Sequence, residues 1–197
     1  MTNGISQRTY GALILAGGEA RRMGGQNKAL LCLEHQTFLS HLEAALDGFD
    51  EKLISIRDPS WLPDTAFLPI PDEVDGRGPL EGLRCALQQC RSDALVVVPC
   101  DVPLFSAALA QALMRAGADS DVMICRDSSG KLHPLCGVYS KDCLPVIEAQ
   151  AAQGNFRIMS IWKTIGGSIF DLDAAGFSDD QLTNVNAPET FHSLQSV

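Results

Sequence analysis
Positive charge is scarce in this sequence of 197 residues: 15 Lys and Arg stand against 24 Asp and Glu, a formal net charge of −9. A partner held through nucleic-acid phosphates is therefore not expected, because domains of that kind are usually basic. No apolar run approaches the ~20 residues that span a bilayer, so no membrane association is expected. Met1 to Thr9 is short and polar and lacks an apolar h-region. It reads as no secretion signal, which makes the cytoplasm the expected compartment. The motif Cys-x-x-Cys does not occur, and the seven cysteines (Cys32, Cys85, Cys90, Cys100, Cys125, Cys136, Cys143) are odd in number. The thiols read as small buried hydrophobes rather than a zinc site or disulfide scaffold.

Familiar phosphate loops are missing as well. A Walker A loop needs Gly-Lys-Ser/Thr, yet the only Gly-Lys pair, Gly130-Lys131, is followed by Leu132. Gly76-Arg77-Gly78 begins like a dinucleotide fingerprint, but Glu81 stands at the third glycine and Pro79 at the helix start. A kinase-like ATPase and a nicotinamide dehydrogenase are both unsupported. No Ser-His-Asp grouping stands out.

What is present is the make-up of an ordinary globular chain, 46% apolar and 20% charged. No repeat, linker or low-complexity tract divides it, so residues 1–197 are read as a single domain. Strand-like and helix-like runs alternate. Strands are expected at Ala12–Leu15, Leu53–Ile56, Ala66–Ile70, Ala94–Val98, Val122–Cys125 and Leu135–Tyr139. Helices are expected at Phe38–Leu46, Leu80–Gln89 and Ser106–Arg115, the last N-capped by Ser106. The near-continuous apolar run Ala94–Val98 suits a strand buried on both faces. This alternation predicts an α/β fold with a doubly wound, mainly parallel sheet. The last third is less regular: helices over Lys141–Ala152 and Phe156–Thr164, then a late strand, Ile169–Leu172, expected to run antiparallel.

Chemistry concentrates in three places. Directly after the first strand comes Gly17-Gly18-x3-Arg22-Met23-Gly24-x3-Lys28. A glycine turn leaving a strand puts main-chain N–H groups at the carboxyl end of the sheet, where open α/β folds bind ligands. Residues 1–30 carry four basic side chains against Glu19, a net +3, leaving −12 on the remainder. A local positive pocket in an acidic chain suits a small anion. The second place is Pro99-Cys100-Asp101-Val102-Pro103, after the apolar run. Asp101 there is either a Mg²⁺ ligand shared with phosphate oxygens or a turn or N-cap aspartate. The third is Asp72 to Gly82, which opens a helix at Gly78-Pro79. Asp72 and Asp75 read as site or solvated turn acids, and Glu73 as solvated.

These motifs resemble the molybdenum cofactor guanylyltransferase family, whose pattern is L-A-G-G-x-A-R-R-M-G-G-x-x-K, G-P-L-x-G, C-D-x-P and N-x-N-x-P-E. Here they fall at Leu15–Lys28, Gly78–Gly82, Cys100–Pro103 and Asn184–Glu189, through nearly the whole chain. The L-A-G-G form resembles the guanylyl branch; cytidylyl relatives more often carry L-A-A-G. The resemblance implies a Rossmann-like nucleotidyltransferase fold and GTP and molybdopterin as substrates, with Mg²⁺. It implies that Leu15, Ala16, Gly17 and Gly18 wrap the guanine and ribose and that Lys28 contacts the triphosphate. Asp72 then belongs to the nucleotide site, and Asp101 to nucleotide and metal. Arg22, Gly25, Gly78, Gly82, Arg157, Asn184 and Asn186 match positions tied to catalysis or the pterin. Molybdoenzyme apoproteins or their chaperones are implied recipients of the product. Ser55 stands where the family often has Asn, and being shorter it leaves that ribose or base contact open. His133-Pro134 matches a His-Pro of the family, with His133 either lining the pterin side or structural; His35, His41 and His192 read as without a role.

The implied reaction needs no general base. A terminal phosphate with a second pKa of about 6 is already anionic near neutral pH. The demand is electrostatic, and Lys28, Arg22 and a metal at Asp101 would meet it. Two other readings remain open: CTP or sugar-phosphate nucleotidyl transfer within the same superfamily, and a non-catalytic nucleotide-binding protein that delivers the cofactor.

Overall fold
Seven strands form one sheet in the order β5-β4-β1-β6-β8-β7-β9. The computed structural model describes residues 8–17 and 28–185. The strands are β1 (Tyr10–Leu15), β4 (Lys52–Ile56), β5 (Leu68–Pro71), β6 (Ala94–Pro99), β7 (Val122–Arg126), β8 (Leu132–Ser140) and β9 (Ser168–Asp171). A separate two-stranded hairpin joins β2 (Cys32–Leu33) to β3 (Gln36–Thr37). The helices are α1 (Phe38–Ala45), α2 (Pro79–Gln89), α3 (Ala107–Ala116), α4 (Leu144–Ala152) and α5 (Ile158–Ile165).

β5, β4, β1 and β6 are mutually parallel, and β8 runs antiparallel between β6 and β7. β6 is buried at every position, which is why its sequence does not alternate. One core layer holds Ile14, Val96, Leu39 and Leu109. The other holds Leu13, Val97, Leu83 and Ile161. Successive residues of β1 and β6 thus feed opposite layers, as the two-residue period of a strand requires.

Two expectations differ from the structure. The late strand β9 pairs with β7 in parallel, through Met123↔Ser168 to Arg126↔Asp171, not antiparallel. α5 returns the chain across the sheet, so this is a crossover rather than a hairpin. The helix expected from Lys141 instead begins as a 3₁₀ turn, Lys141–Cys143, and Pro145 sits in the first turn of α4. That is where proline's missing N–H costs least.

Chain direction switches at β1. The path leads from β1 outward to β4 and β5, then returns to β6 on the other side of β1. In open α/β sheets the crevice at such a switch point, beyond the carboxyl ends of the strands, is the ligand-binding place.

Candidate active site
Strand register lines up the site. Leu15 at the end of β1 lies opposite Ser55 on one side and Pro99 on the other. The Ala16 N–H donates to the Ser55 carbonyl at 2.8 Å, and the Cys100 N–H to the Leu15 carbonyl at 3.0 Å. The Asp72 N–H donates to the Ile56 carbonyl at 3.2 Å, extending the row past β5. Ala16, Ser55, Asp72 and Asp101 therefore leave one sheet edge side by side. Above them opens a cavity of about 460 Å³. It is lined by Leu15, Ala16, Gly17, Lys28, Ser55, Arg57, Asp58, Trp61, Asp72, Gly78, Pro79, Pro99, Cys100, Asp101, Leu135 and Asn184.

At one end, Lys28 Nζ donates to Asp101 Oδ2 at 3.0 Å, and Asn184 Nδ2 donates to Asp101 Oδ1 at 2.9 Å. The Val185 N–H donates to the Asp101 carbonyl at 2.7 Å, which ties the C-terminal segment to the strand end. The N-cap of α3 is Ser106, whose Oγ accepts the Leu109 N–H at 3.1 Å. Asp101 is thus not the cap of that helix; its carboxylate faces a cation and an amide in the cavity.

At the other end, Ser55 Oγ donates to Asp72 Oδ1 at 3.2 Å. Burial pushes the Asp72 carboxyl above its ordinary range; the Ser55 bond opposes this, while the charges of Glu81 and Asp75 add to it. The packing there is tight. A Cβ at Gly17 would meet Asp72 Oδ2 at 3.1 Å, and one at Gly82 would meet Ser55 Oγ at 2.0 Å. Gly82 is therefore placed beneath Ser55, where it lets α2 close against β4, and it does not line the cavity.

Behind the cavity is a second acidic cluster. Ligand atoms of Glu73, Glu81 and Cys85 lie within 4.8 Å of one another. Arg84 Nη2 already sits among them, 2.5 Å from Glu73, 2.8 Å from Glu81 and 3.3 Å from Cys85. The cation there belongs to the protein. Burial alone would raise the Glu81 carboxyl; bonds and charge from Arg84 and Arg77 overcome that and hold it below its ordinary range. Arg77 also lies over the Phe156 ring, 5.4 Å from its centroid. The pair links the loop before α2 to the residue preceding Arg157.

The structure brings Leu15, Ala16, Gly17, Lys28, Ser55, Asp72, Gly78, Asp101 and Asn184 to one cavity. Arg157 is the N-cap residue of α5 and is not among the lining residues. Gly18, Arg22, Gly25 and Asn186 lie outside the described residues. His133 Nε2 pairs with Asp127 Oδ2 at 2.8 Å, away from the lining. Glu73 is exposed, as expected, and also ion-pairs with Arg84. Arg57, Asp58, Trp61 and Leu135 line the cavity without belonging to any motif. Their signal was position alone: residues 57–61 follow a parallel strand that ends at the switch-point edge.

A cavity at a parallel-sheet switch point, with a lysine–carboxylate pair at one end and a half-buried carboxylate at the other, defines a nucleotide-handling α/β enzyme. The chain belongs to the MobA-like NTP transferase domain family, whose model matches residues 12–166. It is a nucleotidyltransferase. It is 33% identical over 196 residues to a molybdenum cofactor guanylyltransferase of Cereibacter sphaeroides, covering 96% of this chain and 97% of that one. Its fold is similar to molybdopterin-guanine dinucleotide biosynthesis protein A of Archaeoglobus fulgidus: TM-score 0.78, 19% identity, 94% of this chain and 96% of that one. A fold likeness extends to 2-C-methyl-D-erythritol 4-phosphate cytidylyltransferase of Thermus thermophilus, with TM-score 0.69 and 14% identity over 95% of this chain and 98% of that one. Among the described residues, no helix is long and apolar enough to cross a membrane.

Proposed function
We propose that residues 1–197 act as one guanylyltransferase domain that moves GMP from GTP to the terminal phosphate of molybdopterin cofactor, releasing pyrophosphate. The observation that carries this reading is the pairing of Lys28 with Asp101 in the same cavity as the Ser55–Asp72 pair. Two such pairs in one cavity suit one nucleotide laid across the sheet edge, phosphates at Lys28 and base at Asp72.

An ionised carboxylate only accepts hydrogen bonds. Guanine offers N1–H and its amino group on one edge, two donors side by side. Cytosine offers one donor beside an acceptor. Asp72 therefore favours guanine, and a site built around buried polar groups rejects a base that leaves them unpaired.

A phosphate oxygen of the pterin forms a bond to the α-phosphorus, the bond to the β-phosphate bridging oxygen breaks, and the electron pair leaves with pyrophosphate. Lys28 counters charge on the triphosphate, the electrostatic work this transfer demands. The donor set around Asp101, a carboxylate with the Asn184 side chain beside it, fits Mg²⁺ completed by phosphate oxygens and water. When bound, the metal would neutralise charge on the phosphates. No proton acceptor is needed, and His133 is engaged elsewhere with Asp127. Pyrophosphate release from GTP plus molybdopterin tests this reading: Lys28→Ala and Asp101→Ala should abolish release while keeping the fold. Near-normal turnover by either variant would contradict it.

A further inference from the structure
We propose that Trp61 is the stacking wall for the guanine ring, a nucleotide-binding residue outside every sequence motif. The inference rests on the guanylyl reading above and extends it to the ring face of the base. Asp72 reads an edge of the base, and edge contacts leave both ring faces to be covered by apolar surface. Among the described lining residues Trp61 is the one aromatic side chain, and it shares the cavity with Ser55 and Asp72.

Its placement is built rather than accidental. Trp61 closes a 3₁₀ turn, Pro59–Trp61, that directly follows β4 and Arg57-Asp58. Asp58 Oδ1 accepts the Ser60 N–H at 2.9 Å, and the Leu62 N–H donates to the Pro59 carbonyl at 3.1 Å. Pro59 presets its own φ for such a turn. The indole rests partly buried against the core layer that contains Ile14 and Val98. Arg57 Nε reaches Asp75 at 2.9 Å, tying this segment to the loop that carries Asp72. A preorganised aromatic beside an edge-reading carboxylate is how a site binds a base without spending affinity on ordering a loop.

The chain has two tryptophans. Trp162 donates from Nε1 to the Ser168 carbonyl at 3.0 Å and does not line the cavity. A Trp162→Phe parent therefore leaves Trp61 as the only indole. Titrating that parent with GTP should quench its emission, saturating at the dissociation constant found by calorimetry. Trp61→Ala should weaken GTP binding by roughly 5- to 150-fold, the span that base–aromatic stacking confers. Binding of inorganic triphosphate should stay unchanged, and Trp61→Phe should recover most of the GTP affinity. Unaltered emission at saturating GTP would overturn the proposal without requiring any variant at residue 61. So would a Trp61→Ala protein that binds GTP within twofold of the parent, or one that loses GTP and triphosphate equally. Calorimetry showing no GTP binding by the parent would instead remove the guanylyl reading, and this inference with it.

Discussion

Gly82→Ala tests the tightest contact at the base end of the cavity. The added Cβ would lie 2.0 Å from Ser55 Oγ, 2.9 Å from Ser55 Cβ and 3.3 Å from Leu15 Cδ2. Rotating the Ser55 hydroxyl away relieves the first contact only by breaking its bond to Asp72; the second requires α2 to move off β4. Overpacking of this kind costs ~1–3 kcal/mol. Losing a hydrogen bond to a charged group costs a further ~1.5–3 kcal/mol. Alanine in place of glycine inside a helix returns about 1 kcal/mol. The net destabilisation expected is roughly 1.5–5 kcal/mol, read by urea unfolding at unchanged m-value. Ser55→Gly removes both serine atoms from the clash, so the double variant should be less destabilised than the two singles combined, by at least about 1 kcal/mol. GTP affinity should fall in both singles, since each frees Asp72 from Ser55. A Gly82→Ala protein of wild-type stability, or strict additivity with Ser55→Gly, would refute the packing argument.

Asp72→Asn should weaken GTP by about 10- to 150-fold, as loss of charged hydrogen bonds predicts, and should change CTP binding far less; competitive binding of the two nucleotides reads the difference. The proposed guanine contact needs the ionised Asp72 carboxylate, and burial raises its pKa in the free enzyme. GTP affinity should therefore be level above that pKa and fall up to tenfold per pH unit below it; subtracting the Asp72→Asn profile removes the nucleotide's own titration. Arg84→Met leaves Glu81, whose side chain is 1% exposed, without its main counter-charge and should cost about 3–5 kcal/mol in chemical denaturation. Under native conditions a thiol reagent should modify one cysteine quickly: Cys32 is exposed and the other six are buried. Burial pushes the Cys100 and Cys125 thiols up to about 12, so they stay protonated and inert at neutral pH.

The parallel half of the sheet was legible because β1 and β6 are continuous apolar runs and α1, α2 and α3 carry clear faces. That Asp101 and Asp72 reach one edge was legible for the same reason, each following a parallel strand, whereas Lys28 was picked out by the glycine-rich motif after β1. The direction of β9 was not, because strand polarity depends on where α5 delivers the chain, which no local pattern encodes. The β2–β3 hairpin was missed since its turn uses Glu34 and His35 at φ 49 and 68, without the Asn-Gly signal of such turns. Trp61 bears no local signal: the fold alone brings it to the cavity that Asp72 lines, eleven positions away in sequence and on another loop. Arg84 carries no motif of its own within the expected Leu80–Gln89 helix; only the fold turns it inward between Glu73 and Glu81.

The central claim is that the edge holding Lys28, Asp101, Ser55 and Asp72 binds GTP and transfers its nucleotidyl group. Its most direct test is pyrophosphate release from GTP in the presence of Mg²⁺ and molybdopterin, compared between wild type and Asp101→Asn. Release is expected from the wild type, and its loss in the variant while the fold and the base-end contacts persist. Sustained release by Asp101→Asn, or none by the wild type with both substrates bound, would contradict it.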